Sequence, residues 1–197
     1  MRQDLAIIAD LVTRGARVLD LGCGGGELLS HLKQFKGVNG YGLEIDPDMI
    51  TGCIKAGVNV IEQDLDRGLT NFPTGSFDLV VMTDTLQSVR HPDLMLEEML
   101  RIGRECIVTF PNFAHWRCRA YLATRGRMPV ARHLPHRWYD TPNIHLMTIR
   151  DFRTFLQGLD IKIHEEVYTM SHAGEVPPLA EWWPNMCAPT AVFLVSR

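Results

Sequence analysis

The segment VLDLGCGGGELL, residues 18–29, constrains this chain more than any other. Val18–Leu21 reads as a short buried strand. Glycines 22, 24 and 26 then make a turn that opens into a helix with leucines at 28, 29 and 32. A strand, a glycine turn and a helix in that order form the opening unit of a parallel α/β sheet. Such a turn lets a ligand approach the backbone without meeting a Cβ.

The same alternation continues along the chain. Strands are expected at Arg17–Leu21, Gly40–Ile45, Asn59–Leu65, Phe77–Thr83 and Glu105–Phe110. Between them lie a helix over Gly24–Phe35, a second opening at Asp46-Pro47 and stopped by Gly57, and a third over Asp93–Ile102 behind Pro92. A further short helix is expected at the N-terminus, where Leu5, Ile8 and Leu11-Val12 fall at helical spacing. Beyond Asn112 the rhythm breaks for some thirty-five residues. Thr148 to Asp151 then reads as a capping box, with a helix to about Gly158. Ile161–Met170 and Ala188–Ser196 are strand-like and are expected to pair as a hairpin across a long loop, residues 171–187. The expected fold class is therefore α/β: a mostly parallel seven-stranded sheet, helices on both faces, and a C-terminal antiparallel hairpin. A chain of 197 residues suits one domain, spanning 1–197.

Composition narrows the setting. No apolar run reaches the ~18 residues of a membrane span, and Asp4 and Asp10 interrupt the N-terminal apolar pattern, which makes it a poor signal peptide. Five cysteines without a CxxC pair argue against a disulfide framework and against a zinc site, so no metal is expected and a reducing cytoplasm fits best. The net charge is −3, unevenly spread. Phe113–His145 contains six arginines, no lysine and one acid, so it carries +5 and leaves −8 on the rest. Arginine among Trp116, Tyr121, Trp138 and Tyr139 is the composition of a contact surface, although a solvated loop is the simpler alternative. With a negative net charge, nucleic acid is a poor partner.

Three nucleotide readings compete for the glycine turn. A phosphate-binding loop needs a lysine after the last glycine, and none follows. The dinucleotide fingerprint needs a third glycine where Glu27 stands. Charge then decides. Asp20 before the turn and Glu27 after it oppose a pyrophosphate but tolerate a cation. S-adenosylmethionine (SAM) has no phosphate and carries a sulfonium and an ammonium. Asp20 is placed to reach the ammonium. Glu44, ending the second strand, accepts from the ribose hydroxyls, although dinucleotide proteins also place an acid there. Asp64, ending the third strand, either accepts from the adenine amino group, with Leu65 on the ring, or merely caps a turn.

Three acids ending three successive strands around GxGxG resemble a class I SAM-dependent methyltransferase, with its Rossmann-like fold. The match runs through VLDLGCGGGELL, GLEIDPDMI, VIEQDL and SFDLVVMTDTLQSVRHP, about Val18 to Asn112. The resemblance implies a pocket for SAM or S-adenosylhomocysteine lined by Asp20, Gly22, Cys23, Gly24, Gly26, Glu44, Ile45, Asp64 and Leu65, with Thr83 near the methionine end. A narrower resemblance covers nearly the whole chain. FPNFAHWRCRAYLATRGRMPV, WYDTPNIHLMTIRDF and LEEMLRIGRECIVTFPN are similar to the methionine biosynthesis protein MetW family. It implies a role in methionine synthesis beside homoserine O-acyltransferase.

No catalytic set is legible. His91 before Pro92 reads as a turn or cap residue. Methyl transfer runs on proximity and orientation, so the lack of a motif does not exclude an active methyltransferase with a small-molecule acceptor. The basic-aromatic insertion, about residues 113–147, is expected to cap the methyl donor. Candidate substrate or partner contacts are Gln87, Asn112, Trp116, Arg117, Trp138, Tyr139, Trp182 and Trp183.

Overall fold

The computed structural model describes residues 3–169 and 179–197. Seven strands form one sheet in the order β3-β2-β1-β4-β5-β7-β6. They are β1 (Arg17–Leu21), β2 (Asn39–Glu44), β3 (Asn59–Glu62), β4 (Phe77–Thr83), β5 (Gly103–Pro111), β6 (Lys162–Thr169) and β7 (Thr190–Ser196). The first five run parallel, and β7 lies antiparallel between β5 and β6. The expected mostly parallel sheet with a C-terminal antiparallel pair is the observed one.

Alternation within the strands builds two cores. Along β4, Leu79 and Val81 face one side and Val80 and Met82 the other. The first side is covered by α1 (Gln3–Leu11), α2 (Glu27–Lys36) and α3 (Pro47–Lys55), through residues such as Ile8, Leu32 and Cys53. The second is covered by α4 (Pro92–Ile102) and α6 (Ile149–Gly158), through Leu96, Met99, Phe152 and Leu156. Strands buried on both faces are the reason the run from Val18 to Leu21 is nearly all apolar. The single exception, Asp20, is buried with its neighbours. Phe110 of β5, Phe152 of α6 and Phe193 of β7 meet at ring-centroid distances of 4.9–5.8 Å and hold the antiparallel end to the parallel part.

Local signals set most boundaries. Asp46 caps α3, its carboxylate accepting from the amides of Asp48 and Met49. Thr148 caps α6, accepting from the Asp151 amide at 3.1 Å. Two expectations change. The third strand stops at Glu62, because Asp64 caps a turn over Leu65–Arg67. The stretch after Asn112 is not irregular throughout. It holds α5 (Trp116–Arg125), whose one buried residue is Cys118. A helix exposed nearly all round carries no apolar stripe for periodicity to detect. Of the long loop 171–187, residues 171–178 lie outside the described residues. The remainder forms two single-turn helices, α7 (Leu179–Trp182) and α8 (Pro184–Cys187). Among the described residues, no helix is long and apolar enough to cross a membrane.

Candidate functional site

The strand order reverses between β1 and β4, and in sheets of this kind the crevice at that reversal takes the ligand. The glycine turn follows β1 there. Gly22, Gly24 and Gly26 hold φ of +72°, +52° and +78°, the left-handed region that side chains rarely adopt. Gly22 has a second constraint: a Cβ on it would stand 2.6 Å from Thr85 Oγ1. Beneath the turn, the Cys23 and Cys53 sulfurs lie 3.6 Å apart, and the Cys53 thiol reaches the Gly24 carbonyl at 3.0 Å. Burial pushes both thiols up, so they pack as neutral groups. All five cysteines are free thiols.

Two hollows open against the turn, and Gly22 is part of both. One, of about 260 Å³, is lined by Asp20, Cys23, Gly24, Gly25, Glu27 and Thr83, with Leu5 and Leu28 beside them. The other, of about 150 Å³, is lined by Glu44, Ile45, Gln63, Asp64, Leu65 and Asp66 together with Thr85, Ser88 and Val89. Together they reach the lower part of the roughly 300–1,000 Å³ range of small-molecule sites. Of the residues expected to bind cofactor, all but Gly26 line one hollow or the other. Gly26 instead caps α2, packed against Cys53 and Val58.

Asp20 is the unusual group. Its side chain is fully enclosed, and its Oδ1 has no hydrogen-bond partner among the described residues. Burial, with the charge of Glu44 second, pushes its carboxyl up to about 7. Thr83 Oγ1, in the same hollow, is also buried without a partner. Orphaned polar atoms are costly, so two of them facing one hollow point to a ligand that satisfies them.

Glu44 has a second role that its position on the strand does not reveal. Its Oε2 accepts from the Gly24 amide at 2.8 Å, and Oε1 accepts from the amides of Ile45 and Asp46. The carboxylate therefore ties the glycine turn to the end of β2. Replacing Glu44 with Gln puts an NH2 against one of these amides, so the variant should lose stability even without ligand, by about 1–3 kcal/mol. Thermal melts of the ligand-free protein test this; an unchanged melting temperature would reduce Glu44 to a pure ligand contact. Asp64 likewise does two things, lining the hollow while its Oδ1 accepts from the Asp66 amide at 3.0 Å.

The remaining candidates do not gather at the cleft. Trp116, Arg117, Trp138, Tyr139, Trp182 and Trp183 line neither hollow. Asn112 is wholly buried, and its amide is used up: Nδ2 donates to the carbonyls of Ala188 and Asn185, and Oδ1 accepts from the Ala114 amide. It braces the end of β5. Gln87 is buried behind the cleft wall, donating to the Asp84 carbonyl at 2.8 Å. His91 stands at the N-cap of α4 and makes no side-chain cap bond. Thr85, which the sequence offers with Asp84 as a dyad that either orients a substrate or caps the next helix, lines the second hollow. Sequence reasoning misses Ser88 and Gln63, and of these only Ser88, close after β4, carried a positional signal.

This architecture is that of the class I SAM-dependent methyltransferases. A SAM-dependent methyltransferase from Mesorhizobium loti superposes with a TM-score of 0.69 at 19% identity, covering 98% of this chain and 96% of that one. A TehB-like SAM-dependent methyltransferase from Corynebacterium glutamicum superposes at 0.62 and 16% identity, covering 98% and 86%. At such identities the likeness is one of fold. The chain belongs to the MetW family: the family described as methionine biosynthesis protein MetW matches residues 2–195. The bifunctional methionine biosynthesis protein MetXA/MetW of Rhodopirellula baltica is 36% identical over 96% of this chain. The chain spans about a third (32%) of that relative's length.

Proposed function

We propose that the cleft binds SAM or S-adenosylhomocysteine and that the protein acts in methionine synthesis as a ligand-responsive partner of homoserine O-acyltransferase. The observation that carries the first half is Asp20, a buried carboxylate with an unsatisfied oxygen in a hollow framed by left-handed glycines. A cation in that hollow supplies the missing counter-charge. In this reading Asp20 receives the ammonium of the methionine half, and Thr83 closes the same end. Glu44 accepts from the ribose hydroxyls on the lone pairs its three amide bonds leave open. Asp64 and Leu65 hold the adenine. SAM brings a methyl group on a positively charged sulfur; every other contribution is binding and orientation by these side chains.

The relative from Rhodopirellula supports the second half. Its name joins two functions in one polypeptide, which holds the two parts at high effective concentration. A free-standing chain would achieve the same by association. SAM then alters the complex only as far as it binds its two states unequally.

The experiment is calorimetry with SAM and with S-adenosylhomocysteine, followed by an acyltransferase assay with and without this protein, each with and without SAM. Saturable heat and an acyltransferase rate that responds to the protein are expected. No heat at millimolar ligand overturns the cleft assignment. An indifferent acyltransferase overturns the partnership, and turnover of SAM by the chain with a defined acceptor would replace it with methyl transfer.

A further inference from the structure

We infer that the acyltransferase docks on the face formed by the end of α5 and the loop behind it, and that this face hangs on the wall of the SAM cleft. The inference rests on the partnership proposed above.

The face surrounds an open hollow of about 810 Å³ lined by Tyr121, Arg127, Val130, Arg137, Trp138 and Tyr139. Trp138 is 74% exposed and Tyr139 61%. Their geometry is set within the chain itself: the two rings meet edge-on at 5.6 Å, and Arg137 Nη1 donates to the Tyr139 hydroxyl at 2.8 Å. Preset aromatic and arginine side chains around a concavity are what dominate binding energy at protein interfaces. A second hollow of about 190 Å³ adjoins it, sharing Met128, Arg137 and Trp138.

Charge selects the occupant. The segment that builds the face carries a net +5, all of its cations arginines, against −8 over the rest of the chain. Its partner therefore presents acids. A long polyanion such as nucleic acid would also meet that acidic remainder, whereas a protein patch need touch only the face. The protein partner already indicated is the acyltransferase.

One turn connects this face to the cleft. Thr85 and Ser88 line the nucleoside hollow. The carbonyl of Gln87, between them, accepts from the amides of Ile144 and His145 at 2.9 and 3.0 Å. Ser88 Oγ lies 3.4 Å from Asn143 Oδ1. Asn143 and Ile144 in turn line the smaller hollow with Trp138. The turn begins at Asp84, whose φ of +50° is a strained value that surrounding contacts must hold. A ligand that presses on Thr85 and Ser88 thus moves the strand of chain that seats Trp138. By linkage, docking must change SAM affinity by the same factor that SAM changes docking.

The test measures binding of the homoserine O-acyltransferase from the same organism to the wild-type chain and to Trp138→Ala and Arg137→Glu. Each variant should weaken the complex ~30-fold or more. SAM affinity of the isolated variants should stay within about twofold of wild type, which also shows that they fold. Saturating acyltransferase should shift the wild-type SAM affinity by about fivefold or more. Undiminished docking of both variants, or docking lost only on Trp182→Ala with Trp183→Ala, overturns this face. SAM affinity that ignores the acyltransferase overturns the connection through the turn. A wild-type chain that does not bind the acyltransferase at all overturns the partnership itself.

Discussion

Asp20→Asn should raise the melting temperature of the ligand-free protein at pH 8 while weakening SAM binding ~30-fold or more. Both effects have one origin. The folded Asp20 carboxyl titrates at about 7, chiefly because it is buried and then because Glu44 is near. In the unfolded chain it titrates near 3.9. Its contribution to stability is thus fully present below about pH 4 and is lost as the pH rises through 7. At pH 8 the empty protein holds an uncompensated charge. The ceiling on the cost is about 4 kcal/mol, since each tenfold change in an ionisation constant is worth about 1.36 kcal/mol. Solvent relaxation brings it to about 1–2 kcal/mol. The gain in Asp20→Asn should be about 3–6 °C at pH 8, and should vanish near pH 4.

The same carboxylate attracts the ligand. SAM affinity of the wild type should rise between pH 6 and 8, and binding near pH 6.5 should release a fraction of a proton. Calorimetry in two buffers of different ionisation enthalpy reads that proton directly. A melting temperature and an affinity both indifferent to the substitution would remove Asp20 from the site.

Gly22→Ala should be the most damaging single change in the cleft. The residue sits at φ +72°, and its new Cβ would meet Thr85 Oγ1 at 2.6 Å and Cγ2 at 2.8 Å. The left-handed backbone costs about 1–2 kcal/mol for an L side chain, and overpacking adds about 1–3. A loss of about 3 kcal/mol corresponds to about 6–12 °C in a domain of this size. Because Gly22 belongs to both hollows, SAM affinity should fall with it. Adding Thr85→Ala removes Oγ1 and Cγ2 but leaves the Thr85 Cβ at 3.2 Å, so the double variant should recover the packing part only. No recovery would mean that the backbone conformation carries the whole effect and that the contact with Thr85 is immaterial.

Most of what this chain encodes openly is local. The αL glycines, the Asp46 and Thr148 caps and the buried alternation of the strands each depend on residues a few positions apart. The acids at the strand ends are legible for the same reason, since a parallel sheet delivers the ends of neighbouring strands to one crevice. α5 escaped because it buries little, and solvent exposure leaves no periodic trace. Long-range pairing decided the remainder. Glu44 clamps Gly24 across 20 residues, Thr85 closes on Gly22 across 63, and Asn112 is consumed by Ala188 across 76. The insertion is fastened to the turn after β4, where the Gln87 carbonyl accepts from the amides of residues 144 and 145. Residue types and spacing reveal which groups can bind a cation. Only the folded chain shows which of them water can no longer reach, and that exclusion is what makes the charge of Asp20 costly when the cleft is empty.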